Sequence, residues 1–348
     1  MNDWKIDEAR SGWLDVRLGR EFRTNMKRIL AHRDILVRLR IGDTAGWGEA
    51  YTMQHDAAEK ALDGNLPLGR DPWDFDAILE PIADLPARAA VDIALHDALA
   101  RKLGLPIYRF LGIPKGGPIT SVTLSLGDDD EAVIREAREW VQRGFQCLKL
   151  KMGTATDPSL PLRIREAVGS GIRIRVDGNQ AWTVYNAEYL FKMLKTAGVE
   201  FCEQPFPVGQ SALCAEIRRE IDLPIYLDEE ITGPADVARV WRHGGVDGVN
   251  VKVAKCGGLR RSLETIRAAR ALGLKVMIGC YFETSLAIGA AVHLTGLADA
   301  VDLDAALFLA ADPFRGLSYA EGRPVLEGPG TGLTPDEGWA GFEEVDSK

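Results

Sequence analysis

Histidine and cysteine, the side chains most used in transition-metal sites, are scarce in this chain, with five of each in 348 residues. The cysteines (Cys147, Cys202, Cys214, Cys256 and Cys280) form no C-x-x-C pair and are odd in number. That argues against a zinc ribbon or a dithiol redox motif and for reduced thiols. Three of them lie in or beside apolar strand-like runs, where a free cysteine acts as a small buried hydrophobe. No apolar run is long enough to span a bilayer, and the opening residues, MNDWKIDEARSGW, carry no apolar signal core. Basic residues are outnumbered 42 to 51, and the net charge of −9 argues against a broad nucleic-acid or anionic-membrane surface. A cytoplasmic protein that engages neither nucleic acid nor membrane is expected. A locally basic site for an anionic small molecule is still allowed.

What is present is an ordinary globular composition, 46% hydrophobic and 27% charged, in a chain long enough for one large domain and a smaller one. Residues 1–112 read as an α+β module. The run DILVRLRIGDTAGWGEA alternates and breaks at Gly42-Asp43, a hairpin signal. ARAAVDIALHDALARKLGLP then has helical periodicity and ends at Gly104 and Pro106. Residues 113–317 alternate strand and helix. The strand candidates are TSVTLSL, QCLKLKM, IRIRVDG, EFCEQPF, PIYLDEE, GVNVKVA, KVMIGCYFE and AVDLDAALF. Eight strands separated by helices predict a parallel α/β barrel with its chemistry on the loops after the strand C-terminal ends. The Gly- and Pro-rich tail, about 318–348, reads as a return over the first module.

Five of these strands deliver charge near their ends: Lys149 and Lys151, Asp177, Glu203, Asp228, and Lys252. From Lys149 the steps are 28, 26, 25 and 24 residues, near the length of one βα unit. Side chains alternate faces along a strand, so Lys149 shares a face with Lys151, Asp177 with Asn179, and Asp302 with Asp304. A lone strand-end charge is usually part of a solvated rim. Such charges on six of eight strands instead predict convergence at one mouth, where they must pair or bind a metal. Three hard carboxylates suit Mg²⁺, and flanking lysines suit proton transfer at carbon.

In the order Lys-x-Lys, Asp, Glu, Asp, Lys, the chain resembles the enolase superfamily in its muconate-lactonising subgroup. The landmarks are GWGEA, KxK, DGNQAW, EQPF, LDEE, VNVKVAKCGG, the ETS at Glu283 and the DLD at Asp302, and they span essentially the whole chain. The resemblance implies a modified (β/α)₇β TIM barrel capped by the N-terminal α+β domain. It implies that Asp177, Glu203 and Asp228 hold one Mg²⁺ per subunit. Lys151 and Lys252 would be the acid/base pair on opposite faces of a substrate α-carbon, with Lys149 supporting Lys151. Their ammonium pKa values are expected to fall through crowding with each other, with Lys149 and with the metal. Homo-oligomers are common in barrels of this kind, and one is expected here.

Within the subgroup, Asp302 and Asp304 resemble the pair with which dipeptide epimerases bind a substrate α-ammonium group; two aspartates on a solvated loop are the plain alternative. Phe22, Thr24 and Lys27 resemble the F-x-T-x-x-R of epimerases acting on Ala-Glu, with Lys27 in the arginine position and Arg23 and Arg28 nearby. A basic surface loop is the alternative there. Asn179, Glu283 and Ser285 are candidate pocket residues, with packing as the other reading of the last two. Glu230 replaces a serine common in the family and is expected on the ligand side of its strand. No histidine falls on strand six or seven, which argues against a histidine-based racemase. The reading that follows is a Mg-dependent epimerase of a dipeptide such as L-Ala-D/L-Glu, of the kind used in cell-wall peptide recycling. N-succinylamino-acid racemase, o-succinylbenzoate synthase or cycloisomerase activity, and a non-catalytic binding barrel, are the alternatives.

Overall fold

Two long antiparallel strands, β1 (Glu8–Arg23) and β2 (Arg28–Ile41), start the fold, and β3 (Thr44–Tyr51) completes a hairpin with β2. The computed structural model describes residues 4–24, 27–127, 129–339, 341 and 343–344. The β2–β3 turn is the two residues Gly42-Asp43, with Gly42 at φ 65°, as the sequence predicts. Helices α1 (His55–Leu62), α2 (Phe75–Leu79), α3 (Leu85–Lys102) and α4 (Ile107–Phe110) follow.

Helix α3 is buried on nearly every side, which explains its alanine content. It packs so closely on β3 that a Cβ at Gly48 would lie 1.9 Å from the Ala90 carbonyl oxygen; only glycine fits there. Its N-terminus is capped by Asp84, which accepts from the Ala87 amide at 2.9 Å. Two aspartates inside α3 fasten other segments. Asp97 accepts from the amides of Trp47 and Thr331, and Asp92 accepts from the amide of Leu259 in the barrel.

The barrel strands are β4 (Val122–Leu124), β5 (Cys147–Lys151), β6 (Arg173–Asp177), β7 (Cys202–Glu203), β8 (Ile225–Leu227), β9 (Gly248–Lys252), β10 (Lys275–Gly279) and β11 (Ala300–Asp302). All seven neighbouring pairs are parallel, and a bridge between Thr120 and Val301 closes the ring. The connections are α5 (Asp130–Gln142), α6 (Leu160–Val168), α7 (Val184–Thr196), α8 (Ala212–Glu220), α9 (Pro234–His243), the consecutive α10 (Val253–Cys256) and α11 (Leu259–Ala271), and α12 (Ser285–Val292). Among the described residues, seven helical crossovers joining eight strands make the (β/α)₇β barrel that the family resemblance implies.

Alternation along the strands separates two environments. Leu148, Leu150, Ile174, Val176, Val249 and Val251 join the apolar cluster with the surrounding helices. Lys149, Arg175, Asp177, Asn250 and Lys252 take the intervening positions. Phe201, Tyr226, Met277 and Ala300 form a separate buried cluster, with the Phe201 and Tyr226 rings stacked at 4.1 Å.

After β11 the chain forms β12 (Phe314–Arg315), β13 (Ser318–Ala320), β14 (Arg323–Val325), β15 (Thr334–Pro335) and β16 (Glu343–Glu344). Strand β16 pairs with β1 at the edge of the first sheet. Several barrel strands are shorter than the sequence suggests. β7 is two residues long, and β11 ends at Asp302, followed by a 3₁₀ turn over Ala305–Phe308. No helix among the described residues is long and apolar enough to cross a membrane.

Candidate active site

The C-terminal ends of the barrel strands and the β3 end of the antiparallel sheet enclose a cavity of about 520 Å³. Its wall includes Thr24, Lys27, Lys149, Lys151, Asn179, Asp228, Lys252, Asp302 and Asp304, nine of the twelve site residues expected from sequence. Asp177 and Glu203 lie just behind the wall, fully buried beside Lys149. In the ring of eight, Lys151 on β5 and Lys252 on β9 are four strands apart and therefore face each other across the barrel. Asp177, Glu203 and Asp228 arise from the three strands between them, and Asp302 and Asp304 from the side opposite β7.

Strong pairing makes this burial tolerable. Lys149 Nζ contacts Asp177 at 3.1 Å, Glu203 at 2.7 Å and Asp302 at 2.8 Å. Lys151 Nζ bonds Asp177 at 2.7 Å, and Lys252 Nζ lies 2.7 Å from Asp228. Asn250, two residues before Lys252 on the same strand face, donates to Glu203 at 2.8 Å. Two tight turns follow the carboxylates. Asn179 (φ 40°) and Gln204 (φ 32°) adopt left-handed backbone conformations that cost non-glycine residues energy, a form of strain concentrated at functional sites. Gln204 uses its side chain to accept from the Asp228 amide at 2.9 Å.

The titration of Lys252 differs from the sequence expectation, and Lys149 beside it behaves alike. Burial alone would lower the Lys149 ammonium, but Asp302, Glu203 and Asp177 outweigh it and hold the pKa well above the usual range. Lys252 is likewise raised against burial, by Asp228. Crowding among the lysines loses to pairing with carboxylates. Lys27 is the exception: burial, then Lys252 and Lys151, lower it to about 8.

A divalent cation can be tested against the residues present. Among the described residues no three carboxylates converge on one point, because each is drawn to an ammonium. Yet Glu203 is incompletely met. Burial and the neighbouring Asp177 push the Glu203 carboxyl up to about 7. Glu203 Oε2 is buried without a hydrogen-bond donor, although Lys149 Nζ is within ion-pair distance. Three buried, hard oxygen donors on adjacent strands, one of them with an oxygen that accepts no hydrogen bond, fit Mg²⁺.

Four expectations need correction. Glu230 does not face the cavity; it pairs outward with Arg239 at 2.9 Å and accepts from Ser211 at 3.0 Å, while Glu229 takes a place on the wall. β8 ends at Leu227, so alternation no longer applies at 228–230. Glu283 is also off the wall. It is buried and accepts from the amides of Tyr51 and Tyr281 at 3.3 and 3.1 Å. Ser285 is off the wall too, bonding Asp312. Asp302 and Asp304 share the mouth but not a strand, since Asp304 (φ −108°, ψ −6°) opens the 3₁₀ turn. Asp302 accepts from Lys149 and Ser121. Asp304 accepts from the Thr123 amide at 2.6 Å, and burial together with Asp302 lifts its carboxyl to about 7.

Residues 132–339 match the enolase C-terminal domain-like family, and residues 77–112 match the N-terminal domain of mandelate racemase / muconate lactonizing enzyme. The chain belongs to the enolase superfamily. It is 33% identical over 315 residues to the L-Ala-D/L-Glu epimerase of Bacteroides thetaiotaomicron, covering 86% of this chain and 80% of that one. It is 35% identical to muconate cycloisomerase 1 of Rhodococcus opacus, over 96% of each. The solved dipeptide epimerase of Methylococcus capsulatus, complexed with Mg and the dipeptide L-Arg-D-Lys, superposes with a TM-score of 0.87 at 32% identity. That match covers 94% of this chain and 99% of the other. These relatives are isomerases, and this enolase-superfamily chain is an isomerase too.

Three residues on the cavity wall escaped the sequence reading. Lys255 bonds both the carboxylate and the carbonyl of Asp228. It sits three residues past Lys252 on the short helix α10, a spacing that returns to the same side. Tyr51 and Tyr281 stack across the mouth, one from each part of the fold. No local sequence pattern marks such a pair.

Proposed function

We propose that the protein is a Mg-dependent dipeptide epimerase that inverts the α-carbon of the C-terminal residue of a dipeptide such as L-Ala-D/L-Glu. The observation that carries this reading is the opposition of Lys151 and Lys252 across one cavity, with three carboxylates on one arc between them and Asp302 and Asp304 on the other. A substrate carboxylate belongs on the side of Asp177, Glu203 and Asp228, which would hold Mg²⁺. Bound there, Mg²⁺ supplies positive charge that stabilises the substrate carboxylate as it takes on enediolate character. Lys151 and Lys252 stand on the two faces of the α-carbon. One takes the proton, the other returns a proton to the opposite face, and the centre inverts. Lys149 holds Asp177, Glu203 and Asp302 in place. Asp302 and Asp304 meet the substrate ammonium, with Asn179 and Thr24 on the wall, and Lys27 meets the second side chain. A cap of residues 1–112, completed by about 318–348, over a barrel of 113–317 belongs to the same reading.

Incubation with Mg²⁺ and L-Ala-L-Glu in D₂O tests it, followed by NMR of the α-proton. Exchange with inversion is the expected result; silence across a broad panel of dipeptides refutes it. The 35% likeness to a muconate cycloisomerase favours a second reading, an acid without an amine. Asp304→Asn decides between them. It should lower dipeptide kcat/KM by about 100-fold, because a desolvated ammonium loses its charged partner.

A further inference from the structure

Four side chains stand in series across the seam between the antiparallel sheet and the barrel. Lys27 Nζ lies 4.7 Å from the centre of the Tyr51 ring and bonds the Tyr51 hydroxyl. The Tyr51 ring stacks on that of Tyr281, with centres 4.7 Å apart and planes at 27°. Lys252 Nζ lies 4.4 Å from the centre of the Tyr281 ring. Lys252 is thus matched to an aromatic face, which favours a cation, and Lys27 to the ring edge that carries the Tyr51 hydroxyl. All four residues line the cavity described above.

Neither tyrosine is free to drift. A single barrel carboxylate, Glu283, accepts from the backbone amides of both, at 3.3 Å from Tyr51 and 3.1 Å from Tyr281. Glu49 reaches the other way, from β3 to the start of α12. It accepts from the amides of Thr284 at 2.9 Å and Ala287 at 3.1 Å, and from the Thr284 hydroxyl. The two glutamates are 0% and 5% exposed, so water does not compete for these bonds. The His32 ring meets Tyr51 edge-on at 5.2 Å.

We infer that Tyr51 and Tyr281, braced by Glu283 and Glu49, form a rigid spacer that fixes the reach from Lys252 to Lys27 and selects substrate side chains by length and by an anionic end. The inference rests on the roles given to Lys252 and Lys27 under the proposed function. A side chain leaving the α-carbon beside Lys252 must run along the two rings to place its terminal group at Lys27. One methylene too few leaves the half-buried ammonium without its carboxylate. One too many collides with a wall that cannot yield.

The test is kcat/KM, read as α-proton exchange in D₂O with Mg²⁺, for L-Ala-L-Asp, L-Ala-L-Glu, L-Ala-L-2-aminoadipate and L-Ala-L-Gln. In the native protein one acidic length should lead its neighbours by at least about tenfold, the range a single methylene commands in a tight pocket. Tyr281→Leu removes the stack and should level the three acidic lengths to within about threefold. Tyr51→Phe keeps the ring and the length order, but should lose part of the preference for Glu over Gln. Should Tyr281→Leu fail to fold, Glu283→Gln turns one acceptor into a donor facing an amide, and the same levelling is expected. An unchanged length order in Tyr281→Leu or Glu283→Gln overturns the spacer. Exchange with neutral or cationic dipeptides and none with acidic ones also overturns it while leaving the epimerase reading intact. Exchange with no dipeptide overturns both.

Discussion

Two buried carboxylate clusters lie close together in this protein and are stabilised by opposite means. At the barrel mouth, Asp177, Glu203, Asp228 and Asp302 are met by the ammonium groups of Lys149, Lys151, Lys252 and Lys255. In the seam under the antiparallel sheet, Glu49 and Glu283 are met chiefly by backbone amides and the Thr284 hydroxyl, with Asp34 beside Glu49. The pKa directions follow. Lys149 holds Asp302 at about 2 against its burial, whereas burial and the adjacent Glu49 push Glu283 up to about 7. Asp34 and Glu49, buried against each other, are both raised well above the usual carboxylate range, first of all by burial. A carboxylate met by a mobile ammonium can change partners; one met by main-chain amides is committed to the fold. Chemistry needs the first kind, docking the second.

That contrast can be broken or sharpened. The largest effect belongs to the mouth lysines. Lys151→Ala and Lys252→Ala should each lower α-proton exchange by about 10²–10⁴-fold, the usual worth of a positioned acid or base, with a smaller loss of stability than Lys149→Met, because Asp177 keeps Lys149 and Asp228 keeps Lys255. Exchange measured by NMR alongside calorimetry separates the two readouts. Next, Lys149→Met leaves three carboxylates without their common cation and should cost about 3–5 kcal/mol in chelator. Added Mg²⁺ should restore much of that loss in a denaturant titration. In the seam, Glu49→Leu strands buried donors at the start of α12 and should cost about 3 kcal/mol, with no recovery on adding Mg²⁺. Asp34→Asn, which can still donate to Glu49, should stay within about 1 kcal/mol of native. Recovery of Glu49→Leu by Mg²⁺ would erase the distinction between the clusters.

The smallest effect is in pH. Glu283 titrates higher folded than free, so its contribution to stability is complete below pH 4.5 and is lost as pH rises through 7. Asp302 titrates lower folded than free, so its contribution is present above pH 3.8 and is lost as pH falls toward 2. Denaturation with chelator present, comparing native with Glu283→Gln and Asp302→Asn, should give difference curves of opposite slope.

The sequence is most legible where charge interrupts an apolar, β-branched run. Lys149, Lys151, Asp177, Glu203, Asp228 and Lys252 all stand out that way, and the eight strands come with them. Legibility fails where a strand ends early. Alternation assigned Glu230 to the cavity and paired Asp304 with Asp302 on one strand, but β8 stops at Leu227 and β11 at Asp302, and each following turn re-aims the side chains. It fails again where partners are remote. Glu49 sits inside the recognised GWGEA, yet its role depends on Thr284 and Ala287, which only the folded chain brings to it.

The ring of strands closes where Thr120 meets Val301, and Ser121 meets Asp302 across 181 residues of sequence. Arg175, fully buried, reaches the same junction and donates to the Val301 carbonyl oxygen at 2.8 Å. Contacts between such distant residues are the costliest to assemble and form late in folding. The side of the cavity that carries Asp302 and Asp304 is built on that junction, from Thr123 on one flank and Asp304 on the other. A nascent or partly unfolded chain can therefore hold most of its strands and still have no place for a substrate. Turnover reports that the first and last strands have met.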